Sequence, residues 1–203
     1  MKGKRRSIAN VIGLFLMLVF TFACSSLSYG FDDSLVEEAN PSNGVTLLKN
    51  TNNEIYGINL NGNSVIIKDG STSGKVNFFV DSNRNGLVDS GESALLVPDI
   101  TGETTSSSKD VDISEKIMVY AVHMAVLDSD LRITIDTKES INYFTAAYKS
   151  HIKGSVTVDV KNSSINSFRG LDCSTCDSDL SINSNGGNYL YFYGTYGFSD
   201  DKA

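Results

Sequence analysis

From Val45 onward the chain alternates short apolar runs with clusters of Asn, Gly, Ser and Asp. The runs Val45–Leu48, Glu54–Leu60, Ser64–Lys68 and Lys75–Val80 are separated by punctuation such as Leu60-Asn61-Gly62-Asn63 and Asp69-Gly70-Ser71. Runs of this length between turn-forming residues predict strands. In the second half the alternation has period two: Val156, Val158 and Val160 fall on one face, Thr157 and Asp159 on the other. Helical signal is scarce. Glu115–Leu127 has some helical character, which its β-branched residues weaken.

The alternating segments repeat. Val156-Thr157-Val158-Asp159-Val160, followed by Ile165-Asn166-Ser167-Phe168-Arg169-Gly170, recurs 24 positions later as Leu180-Ser181-Ile182-Asn183-Ser184 and Tyr189-Leu190-Tyr191-Phe192-Tyr193-Gly194. Upstream, Ile133–Thr137 and Ile141–Phe144 match at offsets of 23 to 24, and a fainter copy runs from Val111 to Tyr120. Units too small to bury their own apolar face must stack. The expected fold is therefore all-β, with β-solenoid coils in the second half and Tyr120, Phe144, Phe168 and Phe192 in one aromatic column. A sandwich or meander is the alternative, its hairpins turning at Lys161-Asn162-Ser163 and Asn185-Gly186-Gly187. The repeats loosely resemble those of bacterial adhesin-like and β-helical surface proteins.

The first residues have a different character. Met1–Ser7 is basic, and Ile8–Ala23 is apolar and uncharged. That is the layout of an export signal, and the apolar run is somewhat short for a spanning helix. Thr21-Phe22-Ala23-Cys24 resembles the lipobox of bacterial lipoproteins, which implies acylation of Cys24 and anchorage to a membrane face. Cleavage after Ser28-Tyr29-Gly30 is the alternative and would give a secreted protein. The expected organisation is a signal at 1–23, a tether at 24–43, a β region at 44–108 and a repeat region at 109–203. Losing Lys2, Lys4, Arg5 and Arg6 with the signal takes the formal charge from −7 to −11. Such a chain repels nucleic acid and attracts cations.

One segment offers a place for a cation. Asp81-Ser82-Asn83-Arg84-Asn85-Gly86-Leu87-Val88-Asp89-Ser90-Gly91-Glu92 fits the twelve-residue loop in which oxygens at positions 1, 3, 5, 7, 9 and 12 surround Ca2+. Asp81, Asn83, Asn85, the Leu87 carbonyl, Asp89 and Glu92 are the expected ligands. Gly86 makes the sharp turn, and Val88 is expected to pin the loop to the body. The segment resembles EF-hand-like loops set between strands of bacterial surface domains.

Other candidate chemistry is sparse. Cys173 and Cys176 are expected to form a disulfide across an inter-repeat turn, in keeping with an oxidising compartment. No G-x-S-x-G or H-E-x-x-H occurs. Asp136 and Asp159, expected to stack on adjacent coils, would be the carboxylate pair of a polysaccharide lyase or hydrolase, the alternative to a non-enzymatic reading. Tyr189, Tyr191, Tyr193 and Tyr196 form a possible glycan- or protein-binding surface. The expectation is an exported, surface-anchored protein, stabilised by calcium, with a structural or adhesive role.

Overall fold

The computed structural model describes residues 37–38, 44–100, 107–113 and 117–196. The expected signal, Cys24 and most of the tether lie outside those residues. Every element among the described residues is a strand, and none of them is a helix long and apolar enough to cross a membrane.

Three sheets form the walls of a β-solenoid. The long sheet runs in the order β18 (Asn188–Tyr196), β15 (Ser164–Asp172), β12 (Ser140–Tyr148), β9 (Met118–His123), β3 (Ile55–Asn59), β2 (Thr46–Lys49). The middle sheet runs β17 (Leu180–Asn185), β14 (Val156–Lys161), β11 (Leu131–Asp136), β4 (Ser64–Asp69), β5 (Lys75–Val80), β8 (Val111–Asp112). The short sheet stacks β1 (Glu37–Glu38), β10 (Ala125–Leu127), β13 (His151–Ile152) and β16 (Thr175–Cys176). A small fourth sheet pairs β6 (Val97–Pro98) with β7 (Ser107–Ser108).

The repeat segments pair in parallel throughout, so they are coils and not hairpins. Asn162 and Gly186 have positive φ, 50° and 78°, a conformation that suits a hairpin turn and a coil corner equally. β-Branched residues win over helical character between Met118 and Leu127, which form β9 and β10. The two regions expected from the sequence share walls: β3 pairs with β9 and β4 with β11. Glu37 and Glu38, expected in the tether, add the lowest rung of the short sheet by pairing with Ala125 and Val126.

Inside, parallel register stacks like on like. Val65, Ile133, Val158 and Ile182 form one column of the middle sheet. In the long sheet Ile58, Val119, Phe144, Phe168 and Phe192 form another. The rings of Phe144 and Phe168 stack at 5.8 Å, and those of Phe168 and Phe192 at 5.1 Å. Tyr120 is not in this column. Val119 takes the place expected for it, and Tyr120 aligns with Thr145.

The reason is one extra residue at a corner. Ile135 pairs with Val160 and Ser140 with Ser164, so five residues on one coil match four on the next. The first coil-to-coil offset is therefore 25, as in Ile133 to Val158, and later ones are 24, as in Val158 to Ile182.

Corner amides, which no strand can bond, are met by buried hydroxyls from the adjacent coil. Ser150 Oγ accepts from Ala125 N–H, Ser174 Oγ from Ser150 N–H, and Ser163 Oγ from Thr137 N–H. Each pairing spares a buried donor the desolvation it would otherwise suffer. Because Phe168 is fully buried and sandwiched, Phe168→Ala should cost about 3–5 kcal/mol in urea unfolding. Phe192→Ala, at a position 48% exposed, should cost clearly less.

Candidate functional site

The loop from Asp81 to Glu92 leaves the end of β5 and folds back on itself through its own side chains. Asp81 is 2% exposed, and its carboxylate accepts from Asn85 N–H at 3.1 Å and Gly86 N–H at 2.9 Å. Glu92 closes the ring: Oε1 accepts from Ser82 N–H at 2.7 Å and Oε2 from Asp89 N–H at 3.1 Å. Asp89 Oδ2 accepts from the side-chain amides of Asn83 and Asn85 at 2.6 and 2.7 Å. Asp81, Asn83, Asn85, Asp89 and Glu92 thus lie within one hydrogen-bonded ring, and Leu87 is placed by the Asn85 Oδ1 that its N–H donates to.

Three carboxylates and two amides are the residue types a hard, oxygen-seeking cation takes. Here their oxygens accept hydrogen bonds from within the loop, the Asn83 and Asn85 amide nitrogens face Asp89, and no three acidic side chains among the described residues stand grouped to hold a metal ion. A buried carboxylate such as Asp81 gains most from a compensating charge. The Arg84 guanidinium does not supply that charge, since it reaches out to Asp130 at 3.9 Å.

What holds the loop to the body differs from expectation. Val88 is 36% exposed and Leu87 55%. The anchor is Gly86, buried at φ +72°, where an added Cβ would lie 3.0 Å from Thr134 Oγ1 on β11. That hydroxyl is itself buried and makes no hydrogen bond. A glycine was legible in the motif, but its role against Thr134 depends on a pairing 48 residues away and has no local sign. Gly86→Ala should therefore lower stability by about 1–2 kcal/mol through left-handed backbone cost, with further loss from crowding Thr134, read by urea titration.

The four tyrosines separate. Tyr189 turns inward: its ring meets Phe168 at 5.7 Å and Phe192 at 5.1 Å, and its hydroxyl bonds Ser184. Tyr191, Tyr193 and Tyr196 are exposed. Tyr193 and Tyr196 sit edge to face at 5.4 Å, and the Arg169 guanidinium lies 4.4 Å over the Tyr196 ring while pairing with Asp172. On the same outer wall Tyr120, His123 and Tyr148 pack together at 4.9 to 5.6 Å. Burial, with the Lys149 ammonium nearby, holds His123 below the ordinary imidazole range. Apart from the tyrosines of β18, this wall was invisible in the sequence, because it is assembled across coils.

Two expected pairs are not formed. Cys173 and Cys176 carry thiols and no disulfide: Cys173 occupies a corner at φ 49°, and Cys176 Sγ donates to the Ser178 carbonyl at 3.2 Å. Burial pushes the Cys176 thiol up, away from the reactive thiolate. Asp136 and Asp159 do not stack, because the 25-residue offset sets Asp159 beside Thr134. Asp136 instead pairs with Lys68 at 2.6 Å, and Asp159 meets Arg132 at 3.5 Å and the Asn183 amide at 2.7 Å.

The enlarged corner lines an open groove of about 330 Å³ with Lys68, Asp69, Asp136, Thr137, Lys138 and Asn162. Asp69 latches it, accepting from Thr137 Oγ1 at 2.7 Å and Lys138 N–H at 2.6 Å. The Thr137 hydroxyl, helped by Lys138, holds the Asp69 carboxyl below the usual range. With the folded value depressed, this contribution is complete above the unfolded value of about 3.9 and lost as pH falls through the folded one. Asp69→Asn should accordingly lower Tm at pH 7, and its difference from the parent chain should shrink in scans taken at progressively lower pH below the unfolded value of about 3.9.

The class defined by these walls is a parallel β-solenoid with antiparallel strands at its first end. No known family, curated protein or solved structure matches the chain.

Proposed function

We propose that the chain is an exported, lipid-anchored protein of the bacterial cell envelope, a calcium-stabilised β-solenoid with a structural or adhesive role. The observation that carries the reading is the Asp81–Glu92 loop, whose five acidic and amide side chains share one hydrogen-bonded ring around a buried carboxylate. Calcium outside the cell is plentiful enough to load even a site in the 10⁻⁴–10⁻³ M range typical of extracellular modules. Asp81, Asn83, Asn85, the Leu87 carbonyl, Asp89 and Glu92 would hold the ion, and Cys24 would carry the lipid. Anchorage and calcium then serve one purpose, a stiff rod held at the surface.

The partner is a glycan or a protein that meets the exposed Tyr191, Tyr193 and Tyr196. Aromatic faces beside the Arg169–Asp172 pair suit stacking and hydrogen bonding together. A binding role is favoured over glycoside cleavage because Asp136 and Asp159 are engaged by Lys68, Arg132 and Asn183.

Calcium at about tenfold over its Kd adds about 1.4 kcal/mol to the folded state. Thermal scans in millimolar calcium against chelator should therefore differ by about 3–6 °C for a chain of this size. The difference should disappear in a variant carrying Asp81→Asn and Glu92→Gln. Equal melting in calcium and chelator, or an undiminished shift in that variant, would overturn the reading.

A further inference from the structure

The extra residue between Ile135 and Ser140 changes what the outer surface presents at that corner. The groove of about 330 Å³ lies there, and its lining comes from three successive coils, those of β4, β11 and β14. Its size is at the lower end of the range of about 300–1,000 Å³ seen for small-ligand sites.

The bonds that fix the corner use one oxygen of each carboxylate. Thr137 Oγ1 and Lys138 N–H both donate to Asp69 Oδ1, at 2.7 and 2.6 Å. Lys68 Nζ donates to Asp136 Oδ2 at 2.6 Å. Asp69 Oδ2 and Asp136 Oδ1 accept no hydrogen bond among the described residues. The Lys138 ammonium and the Asn162 side-chain amide, both on exposed residues, likewise make no hydrogen bond or ion pair among them. The groove therefore holds acceptors and donors that the fold itself does not use.

Charge narrows what those groups can receive. Two lysines and two aspartates sum to zero, in a chain whose net charge is −7. A simple cation would meet Lys68 and Lys138, and a simple anion would meet Asp69 and Asp136. A zwitterion would compete with the Lys68–Asp136 pair for its own two charges. No aromatic or large apolar side chain lines the groove, so an apolar ligand has nothing to bury against. Hydroxyl groups suit this lining: each donates once and accepts as well, so neighbouring hydroxyls can meet carboxylate and ammonium in turn.

We propose that the groove binds a neutral sugar unit of a glycan, with Asp69 and Asp136 accepting from its hydroxyls and Lys138 and Asn162 donating to them. An open groove leaves the rest of the chain outside, so the bound unit belongs to an oligosaccharide. Binding is weak, with a dissociation constant on the order of 1 mM, because four charges must give up water for one ring. This site is separate from the Asp81–Glu92 loop and from the tyrosines of β18, and stands if either of those readings fails.

The test is saturation-transfer NMR on the full chain, kept dissolved by a non-ionic detergent that has no sugar head group. The probes are neutral oligosaccharides of glucose, galactose, mannose and N-acetylglucosamine, beside uronate and glucosamine oligomers. At least one neutral oligosaccharide should receive transfer. Its affinity should fall at least about tenfold in the double variant Lys138→Ala with Asn162→Gly. Glycine keeps the left-handed backbone of Asn162, at φ 50°, and an unchanged circular dichroism spectrum and Tm would show that the fold survives. Lys138→Ala alone, at an exposed corner position, should weaken binding in the same direction. Tyr191→Ala, Tyr193→Ala and Tyr196→Ala together should leave it unchanged. Transfer to no neutral sugar, or to the charged oligomers only, would overturn the proposal. So would binding that persists in the double variant, or that is lost in the tyrosine variant instead, which would assign the sugar to β18.

Discussion

In-register parallel pairing, held along three walls at once, is the constraint on which the other features of this molecule depend. An interior strand such as β14 gives all its backbone hydrogen bonds to the coils on either side. A slip of one residue would turn Val158 outward and bring Asp159 into the core. Since the walls belong to one chain, each corner must be the same length on successive coils or the mismatch must be absorbed locally. The Asp136–Glu139 corner is the exception, and added bonds hold it from both sides. Ser163 meets the Thr137 amide from one side, and Asp69 meets the Thr137 hydroxyl and Lys138 amide from the other.

The same constraint decides where an insertion is tolerated. A twelve-residue loop in the middle of the stack would push adjacent coils apart along a whole wall. Beyond β5 the strands are antiparallel and answer to no repeat, so the Asp81–Glu92 loop costs the register nothing. It folds back over the outer surface, and Gly86 is the residue that lets backbone come down on Thr134. Loop order and wall order are thereby linked through one close contact.

How much of this was legible in the sequence follows from the same geometry. The strands, the 24-residue repeat and the Phe144–Phe168–Phe192 column were readable, because inward positions recur with period two and bulky residues stand out. The first offset was not. Offsets of 23 and 25 differ by two, and both keep Ile133 and Ile135 facing inward, so alternation alone cannot choose between them. That ambiguity made Asp136 and Asp159 look stacked, and carrying the 24-residue period back across the enlarged corner misplaced Tyr120 by one residue. Glu37 and Glu38 gave no sign either, since a two-residue rung carries no pattern. Within the loop, the residues of the motif lie in one hydrogen-bonded network, but the contact of Gly86 with Thr134 depends on β11 and had no sign in the motif.

Stacking also explains where the acidity of the chain resides. Neighbouring rungs lie about 4.8 Å apart, so a carboxylate repeated at one position of consecutive coils would face its own copies at that distance. The walls avoid this. The column through Asp159 reads Ile66, Thr134, Asp159, Asn183, and the guanidinium of Arg132 reaches across to it from the adjacent column. Asp136 lies next to Lys68. Carboxylates without a place in such ladders collect at corners and in the loop: Asp128 and Asp130 in the turn before β11, Asp177 and Asp179 before β17, and Asp81, Asp89 and Glu92 beyond β5. Corner carboxylates are matched by neighbours, Asp130 by Ser155 and Arg84, Asp128 by Lys153 and Asp177 by His151. In the loop, Asp81, Asp89 and Glu92 are met by backbone and side-chain amides. The register that keeps like charges apart on the walls thus leaves other carboxylates to the corners and to the Asp81–Glu92 loop, where backbone and side-chain amides meet them as Lys68 and Arg132 meet Asp136 and Asp159 on the walls.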